Sequence, residues 1–273
     1  MKEYLFCVDS DGCAMDTMTI KHVKCFGPDM VKEWELYPWE DEILARWNKI
    51  NLYTNKRGIN RFQSLALILE EINQKYIPIE GVELLRQWVD HTPAFSESHL
   101  ALELEKQPEA MIFRKALNWS KQVNCDITAL SDQEKVAFSG VKESLEKIKG
   151  VADLAIVSSA NREALEEEWE RCGLMEYVDY AMAQDVGTKV ACISCMIEKG
   201  YSPDKILMIG DAGGDYRAAV KAGVRFYPIL AGHEVESWKD LKKGVIDAFV
   251  AGEYSRELEA ERIEKFHSNL ADS

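Results

Sequence analysis

The stretch YLFCVDSDGCAMD, residues 4–16, decides how the chain is read. It opens with a five-residue apolar run, continues with two aspartates separated by one residue, and then reaches a glycine. An apolar run of that length bounded by turn residues reads as a buried strand. Gly12 lets the chain turn away, so Asp9 and Asp11 are expected together at the strand's C-terminal end. Two clustered carboxylates repel each other, and such a pair normally holds a divalent cation or shares a proton. The four residues D-x-D-G alone also fit an ordinary strand-end turn rich in Asx residues.

From residue 138 onward one unit recurs. KESLEKIK is followed by Gly150 and ADLAIV; EEEWERC by Gly173; MIEK by Gly200 and KILMI; YRAAVKA by Gly223 and VRFYPIL. An amphipathic stretch that ends in basic residues, then glycine, then an apolar run reads as helix, C-cap and strand, with the cations where the helix dipole favours them. Near-continuous apolar strands alternating with helices predict an α/β fold, a doubly wound parallel sheet of Rossmann-like type covered on both faces. The strand ends carry the chemistry: YLFCV leads to Asp9, LAIV to Ser158 and ILMIG to Asp211. In open parallel sheets ligands bind beyond these carboxyl ends, where the strand order reverses.

Residues 17–137 break the rhythm. Apolar residues at three- and four-residue spacing predict helices over 40–50, 59–74, 80–90 and 97–123. Five of the seven tryptophans (Trp34, Trp39, Trp47, Trp88, Trp119) fall in this insertion, enough aromatic bulk for a core of its own. The expected organisation is a catalytic core of 1–16 with 138–273, and an all-helical cap of 17–137 acting as a lid. Residues 253–270 read as a surface helix with Leu258, Ile263, Phe266 and Leu270 on its apolar side.

At 273 residues the chain has material for two domains, and a net charge of −14 without a basic block argues against nucleic acid or an anionic membrane as partner. A phosphate site must then draw its positive field locally. The N-terminal apolar stretch is too short for a signal peptide and nothing approaches a membrane span, so a cytoplasmic protein is expected. Seven scattered cysteines suit free thiols. CISC at 192–195 lies within a helical pattern and has no second CxxC, which favours packing over a metal site.

Taken together, DSDGCAMD at 9–16, the hydroxyl of AIVSSAN at Ser158, the lysine of VGTK at Lys189 and IGDAGGD at 209–215 resemble the four motifs of the haloacid dehalogenase superfamily. The likeness is to its branch of phosphatases and β-phosphoglucomutase-like proteins with a helical cap inserted after the first motif. The resemblance implies Asp9 as nucleophile, Asp11 as general acid and base, and Mg²⁺ held by Asp9, the backbone carbonyl of Asp11 and Asp211. It also implies Asp215 orienting Lys189 or a metal-bound water, Ser158 with Ser159 and nearby backbone N–H groups holding phosphoryl oxygens, and Lys189 offsetting their charge. These residue types suit phosphoryl transfer, which needs an in-line nucleophile and dispersal of charge over the transferring oxygens. Cys13 reads as packing. In the cap, NKRGINRFQSLALIL (55–69) resembles the β-phosphoglucomutase segment that offers an arginine to the substrate's distal phosphate, here Arg61 after Gly58. Lys21 stands where that subgroup often carries histidine, with His22 beside it. The expected activity is a Mg²⁺-dependent phosphatase acting on a small phosphorylated metabolite. The alternatives are a sugar phosphomutase and a non-catalytic binding protein on the same fold. A dehalogenase is disfavoured, because Asp11 serves a leaving group that needs a proton.

Overall fold

The computed structural model describes residues 1–271. The chain divides into two compact units, Met1–Met18 with Ser131–Ser273, and Thr19–Leu130. These boundaries lie two residues after and seven residues before the junctions expected at 16/17 and 137/138.

The first unit holds a five-stranded parallel sheet: β1 Leu5–Val8, β2 Asp153–Val157, β3 Tyr180–Met182, β4 Ile206–Gly210 and β5 Arg225–Pro228, in the order β3-β2-β1-β4-β5. β1 is central, with Val8 opposite Ile156 on one side and Ile209 on the other. Every residue of β1, β2 and β4 is buried, which is why these strands carry near-continuous apolar runs rather than alternating ones, Asp153 at the start of β2 being the exception. Phe6 and Val8 face one layer, built with Val141, Leu145 and Ile148 of helix Val141–Val151, Leu165 and Trp169 of helix Arg162–Arg171, and Trp238 of helix Glu234–Asp240. Leu5 and Cys7 face the other, with Cys192, Ile193 and Met196 of helix Lys189–Glu198 and Ala218 and Ala219 of helix Gly213–Ala222. Burying each such large side chain stabilises the fold by about 1.5–3 kcal/mol.

The second unit is helical and has a core of its own, in which Trp34, Trp47, Trp88 and Trp119 are buried with Phe62, Leu65, Leu69 and Phe113. Trp47 Nε1 donates to His22 Nδ1 and Trp119 Nε1 to the carbonyl of Phe26, both at 3.0 Å.

Three expectations are corrected. The single helix expected over 97–123 is two, Glu97–Lys106 and Met111–Ala129. Pro108 disfavours helical geometry in the residue before it, and Gln107 sits at φ −133°, ψ 67°. Gly150 does not cap a helix: Val141–Val151 runs through it and stops at the extended Ala152. The C-terminal helix, Arg256–Asn269, is not a plain surface element. Its Glu259 is buried and pairs with Arg225 of β5 at 2.5 Å, while Leu258 is exposed. Glu259 also accepts from the amide of Phe226 at 2.7 Å, so the helix covers β5 through polar contacts as well as through Phe266 and Leu270, which pack with Phe226 as their apolar spacing predicts.

Candidate active site

The strand order reverses between β1 and β4: the chain steps from β1 to β2 and β3 on one side, then to β4 and β5 on the other. Asp9 follows β1 and Asp211 follows β4, so the two acids flank the switch point. The amide of Asp9 donates to the carbonyl of Ile209 at 3.0 Å, extending the ladder to the acid itself.

Asp9 continues the register of Leu5 and Cys7, toward the layer that carries Lys189 and Asp215. Lys189 opens its helix behind the N-cap Thr188, and its Nζ lies 2.8 Å from Asp9 Oδ1 and 2.5 Å from Asp215 Oδ1. Asp215, fully buried, also accepts from the amide of Ala212 at 3.0 Å through Oδ2. Candidate ligand atoms of Asp9, Asp211 and Asp215 all lie within 4.8 Å of one another, and all three residues are buried. Burial first, then the charges of Asp215 and Asp211, push the Asp9 carboxyl well above the usual carboxylate range, against the opposing pull of Lys189. Burial alone would lower the Lys189 pKa, but Asp215 and Asp9 outweigh it and hold the ammonium charged.

Of the other residues expected here, Asp11 is half-buried and its Oδ1 accepts a hydrogen bond from Thr17 Oγ1. Ser158 is buried just past β2, its amide bonded to Met182 and its Oγ accepting from the amide of Ala160 at 3.2 Å. Ser159 is exposed beside it. Arg61 belongs to the second unit, where Nη1 donates to Asn124 Oδ1 at 2.7 Å and Ser120 Oγ at 3.2 Å, and the guanidinium lies 5.0 Å from the Phe26 ring centre. Burial lowers its pKa, opposed by Glu97. All seven cysteines are free thiols. The Cys13 thiol is pushed up by burial and by Asp211 and Asp9, which suits packing and not nucleophilic work.

A family model described as haloacid dehalogenase-like hydrolase matches residues 92–229. The chain belongs to that family. The matched stretch carries Ser158, Lys189, Asp211 and Asp215; Asp9 and Asp11 lie outside it and reach the site through the central place of β1. The hydrolase resembles in fold a structure provisionally named β-phosphoglucomutase from Thermotoga maritima, at 17% identity and TM-score 0.53, over 89% of this chain and 100% of that one. A HAD family hydrolase from Deinococcus radiodurans R1, solved with bound phosphate and sodium, is similar at 13% identity and TM-score 0.53, over 91% and 97% of the two chains. A provisionally named phosphoglycolate phosphatase from Lactobacillus delbrueckii subsp. bulgaricus gives 15% identity and TM-score 0.51, over 90% and 99%. No curated protein matches the sequence. Among the described residues no helix is long and apolar enough to cross a membrane.

The donor set of the hydrolase fits a hard divalent cation, since three buried carboxylates converge and Lys189 offsets only part of their charge. Asp215 is committed to Lys189 and Ala212. Asp9 and Asp211 are therefore the carboxylates that would hold such an ion.

Sequence reading missed three residues that hold this site from behind. Thr17 bonds Asp11, Trp169 Nε1 donates to Ser10 Oγ at 2.9 Å, and Trp238 Nε1 donates to the carbonyl of Cys13 at 2.8 Å. The signal for the last two was present: they are the tryptophans outside the insertion, and a buried indole N–H requires an acceptor.

Proposed function

We propose that this hydrolase cleaves phosphate monoesters of a small phosphorylated metabolite through an aspartyl-phosphate on Asp9. The observation that carries the reading is Asp9 itself: a buried carboxylate at the switch point, gripped by Lys189 and adjoining Asp211, with a second acid two residues on. An oxygen of Asp9 attacks phosphorus, the ester P–O bond breaks, and Asp11 gives its proton to the departing oxygen. Asp11 then takes a proton from water as the water oxygen attacks phosphorus, which releases phosphate and restores the Asp9 carboxylate. Ser158 and Ser159 hold phosphoryl oxygens, Lys189 offsets their charge, and Asp215 orients Lys189. Mg²⁺, when bound, would be held by Asp9, Asp211 and the Asp11 carbonyl and would supply Lewis-acid stabilisation of the phosphoryl charge. We assign Arg61 to a distal anionic group of the substrate.

The test is phosphate release from an aryl phosphate. Activity is expected with Mg²⁺ and not in excess chelator. Asp9→Asn, folded by circular dichroism, is expected to lose more than about a thousandfold in kcat, since a covalent nucleophile has gone. Arg61→Ala should lower kcat/KM about ten- to a hundredfold on substrates with a distal charge while sparing the aryl phosphate. Near-normal turnover in chelator or by folded Asp9→Asn would overturn the reading. Transfer of phosphoryl between sugar phosphates faster than its release would identify a mutase instead.

A further inference from the structure

Ser10 stands between the two acids, and its side chain leaves the backbone on the opposite face of the strand. The alternation of β1 dictates this: Phe6 and Val8 pack into one layer and Ser10 follows them, whereas Asp9 follows Leu5 and Cys7 into the other. In that first layer Trp169 meets it, Nε1 to Oγ at 2.9 Å, with the serine 1% and the indole 0% exposed. We infer that Trp169, acting through Ser10, is a positioning residue for the Asp9–Asp11 pair. The inference deepens the proposed function and rests on it only in taking these acids as the reacting pair.

The loop needs such an anchor because its own side chains are small. Between Asp11 and Met15 lie Gly12, Cys13 and Ala14, with Gly12 at φ +79°. The turn is instead organised around the carbonyl of Ser10, which accepts the amides of Cys13, Ala14 and Met15 at 3.2, 2.9 and 2.9 Å. Any drift of Ser10 therefore moves the whole turn, and with it the acids on either side. Trp169 holds the side chain of that hub, and Trp238 holds the carbonyl of Cys13 at 2.8 Å. Trp169 also belongs to helix Arg162–Arg171, whose N-cap Asn161 lies three residues past Ser158 and two past Ser159. One rigid element thus joins the acid loop to the hydroxyls at the end of β2. An indole N–H only donates, so Trp169→Phe removes the bond together with part of the packing of a fully buried ring, whereas Ser10→Ala removes the same bond at the cost of one oxygen.

Two measurements test this, one of them independent of activity. In ¹H–¹⁵N spectra the Trp169 indole signal, assigned by its loss in Trp169→Phe, should exchange slowly with solvent in the wild type. It should shift and exchange faster in Ser10→Ala. In steady-state assays on an aryl phosphate with Mg²⁺, each single variant should lose about ten- to a hundredfold in kcat with KM within about twofold. The double variant should fall no further than the worse single one, because both remove the same contact. Ser10→Ala, one oxygen smaller, carries the test should Trp169→Phe fail to fold. Unchanged kcat in a folded single variant, or losses that multiply in the double, would reduce the contact to packing. A wild type that releases no phosphate would sink the reaction and not the anchor. The anchor would then be judged by calorimetric titration with Mg²⁺ alone, with weaker binding to Ser10→Ala expected and equal binding overturning it.

Discussion

A β-carbon built on Gly210 would stand 2.3 Å from Cβ of Asp215 and 2.4 Å from its Cγ, closer than real side chains approach. Gly210 closes β4, and its missing side chain is the space in which Asp215 folds back against the strand to reach Ala212 and Lys189. Gly210→Ala must push Asp215 away, loosening Lys189 from Asp9. The expected result is a loss of about 1–3 kcal/mol in stability from overpacking and about ten- to a hundredfold in kcat from displaced groups. A methyl group on Gly214, in the first turn of helix Gly213–Ala222, would meet nothing within 4 Å. Gly214→Ala should hold or raise stability by up to about 1 kcal/mol through helix propensity. Thermal unfolding of the two variants beside wild type checks the contrast, and equal effects would mean that Asp215 is not the obstacle. Asp9 and Asp211 were legible as strand-end acids of an α/β fold, whereas Lys189 and Asp215 were reached only through the resemblance of VGTK and IGDAGGD, since both stand in the first turns of helices. Gly210 was visible only as a letter in IGDAGGD, since its role depends on where Asp215 returns in space.

Among the helices of the second unit, Asp29 on Gly27–Glu33 shows what periodicity leaves out. Read as a polar position it would be solvated, yet it is 6% exposed and neighbours Asp126 of helix Met111–Ala129. Burial first, then the Asp126 charge and a hydrogen bond shared with it, push the Asp29 carboxyl up to about 7 from an ordinary 3.8, against the pull of Lys32. The sign follows from proton counting. Between those two values the folded protein keeps a proton that the unfolded chain has released, so stability falls as pH rises through that window. Below it both states are protonated and the penalty vanishes; above it the penalty is complete. Asp29→Asn should therefore be more stable than wild type at pH 8 by about 1–3 kcal/mol, with the gain shrinking toward pH 5. Urea unfolding of both proteins at the two pH values measures it, and a difference independent of pH would refute the shared-proton account. The helices themselves were legible from apolar spacing. The break at Pro108 and this acid pair were not, because one is a backbone restriction and the other a tertiary neighbour.

At the scale of the whole molecule, the parallel sheet was legible because its strands must be apolar on both faces, whereas strand order was not, since apolar runs do not name their neighbours. The insertion was legible as a change of period from strand–helix alternation to helices alone. Its ends begin from adjacent points of the first unit: Met15 bridges Ala137 antiparallel, the amide of Asp16 donates to Val136 at 2.8 Å, and that of Phe138 to Ala14 at 3.0 Å. Residues 19–130 are continuous in sequence, and their core is built from their own side chains, from Cys25 and Phe26 to Trp119 and Val123. Their internal polar contacts are likewise self-contained, with Trp47 on His22, Trp119 on Phe26 and Ser64 on Asn51 at 2.5 Å. A continuous segment on the order of 100 residues with its own core has what independent folding requires. Expressed alone, residues 19–130 should give a helical circular dichroism spectrum, tryptophan emission characteristic of buried indoles, and one cooperative thermal transition. The midpoint should rise on going from pH 8 to pH 5, because Asp29 and Asp126 are both within the fragment and below about pH 7 the folded form keeps its extra proton. A helical spectrum without a cooperative transition would mean that the packing of these helices depends on the sheet-bearing unit.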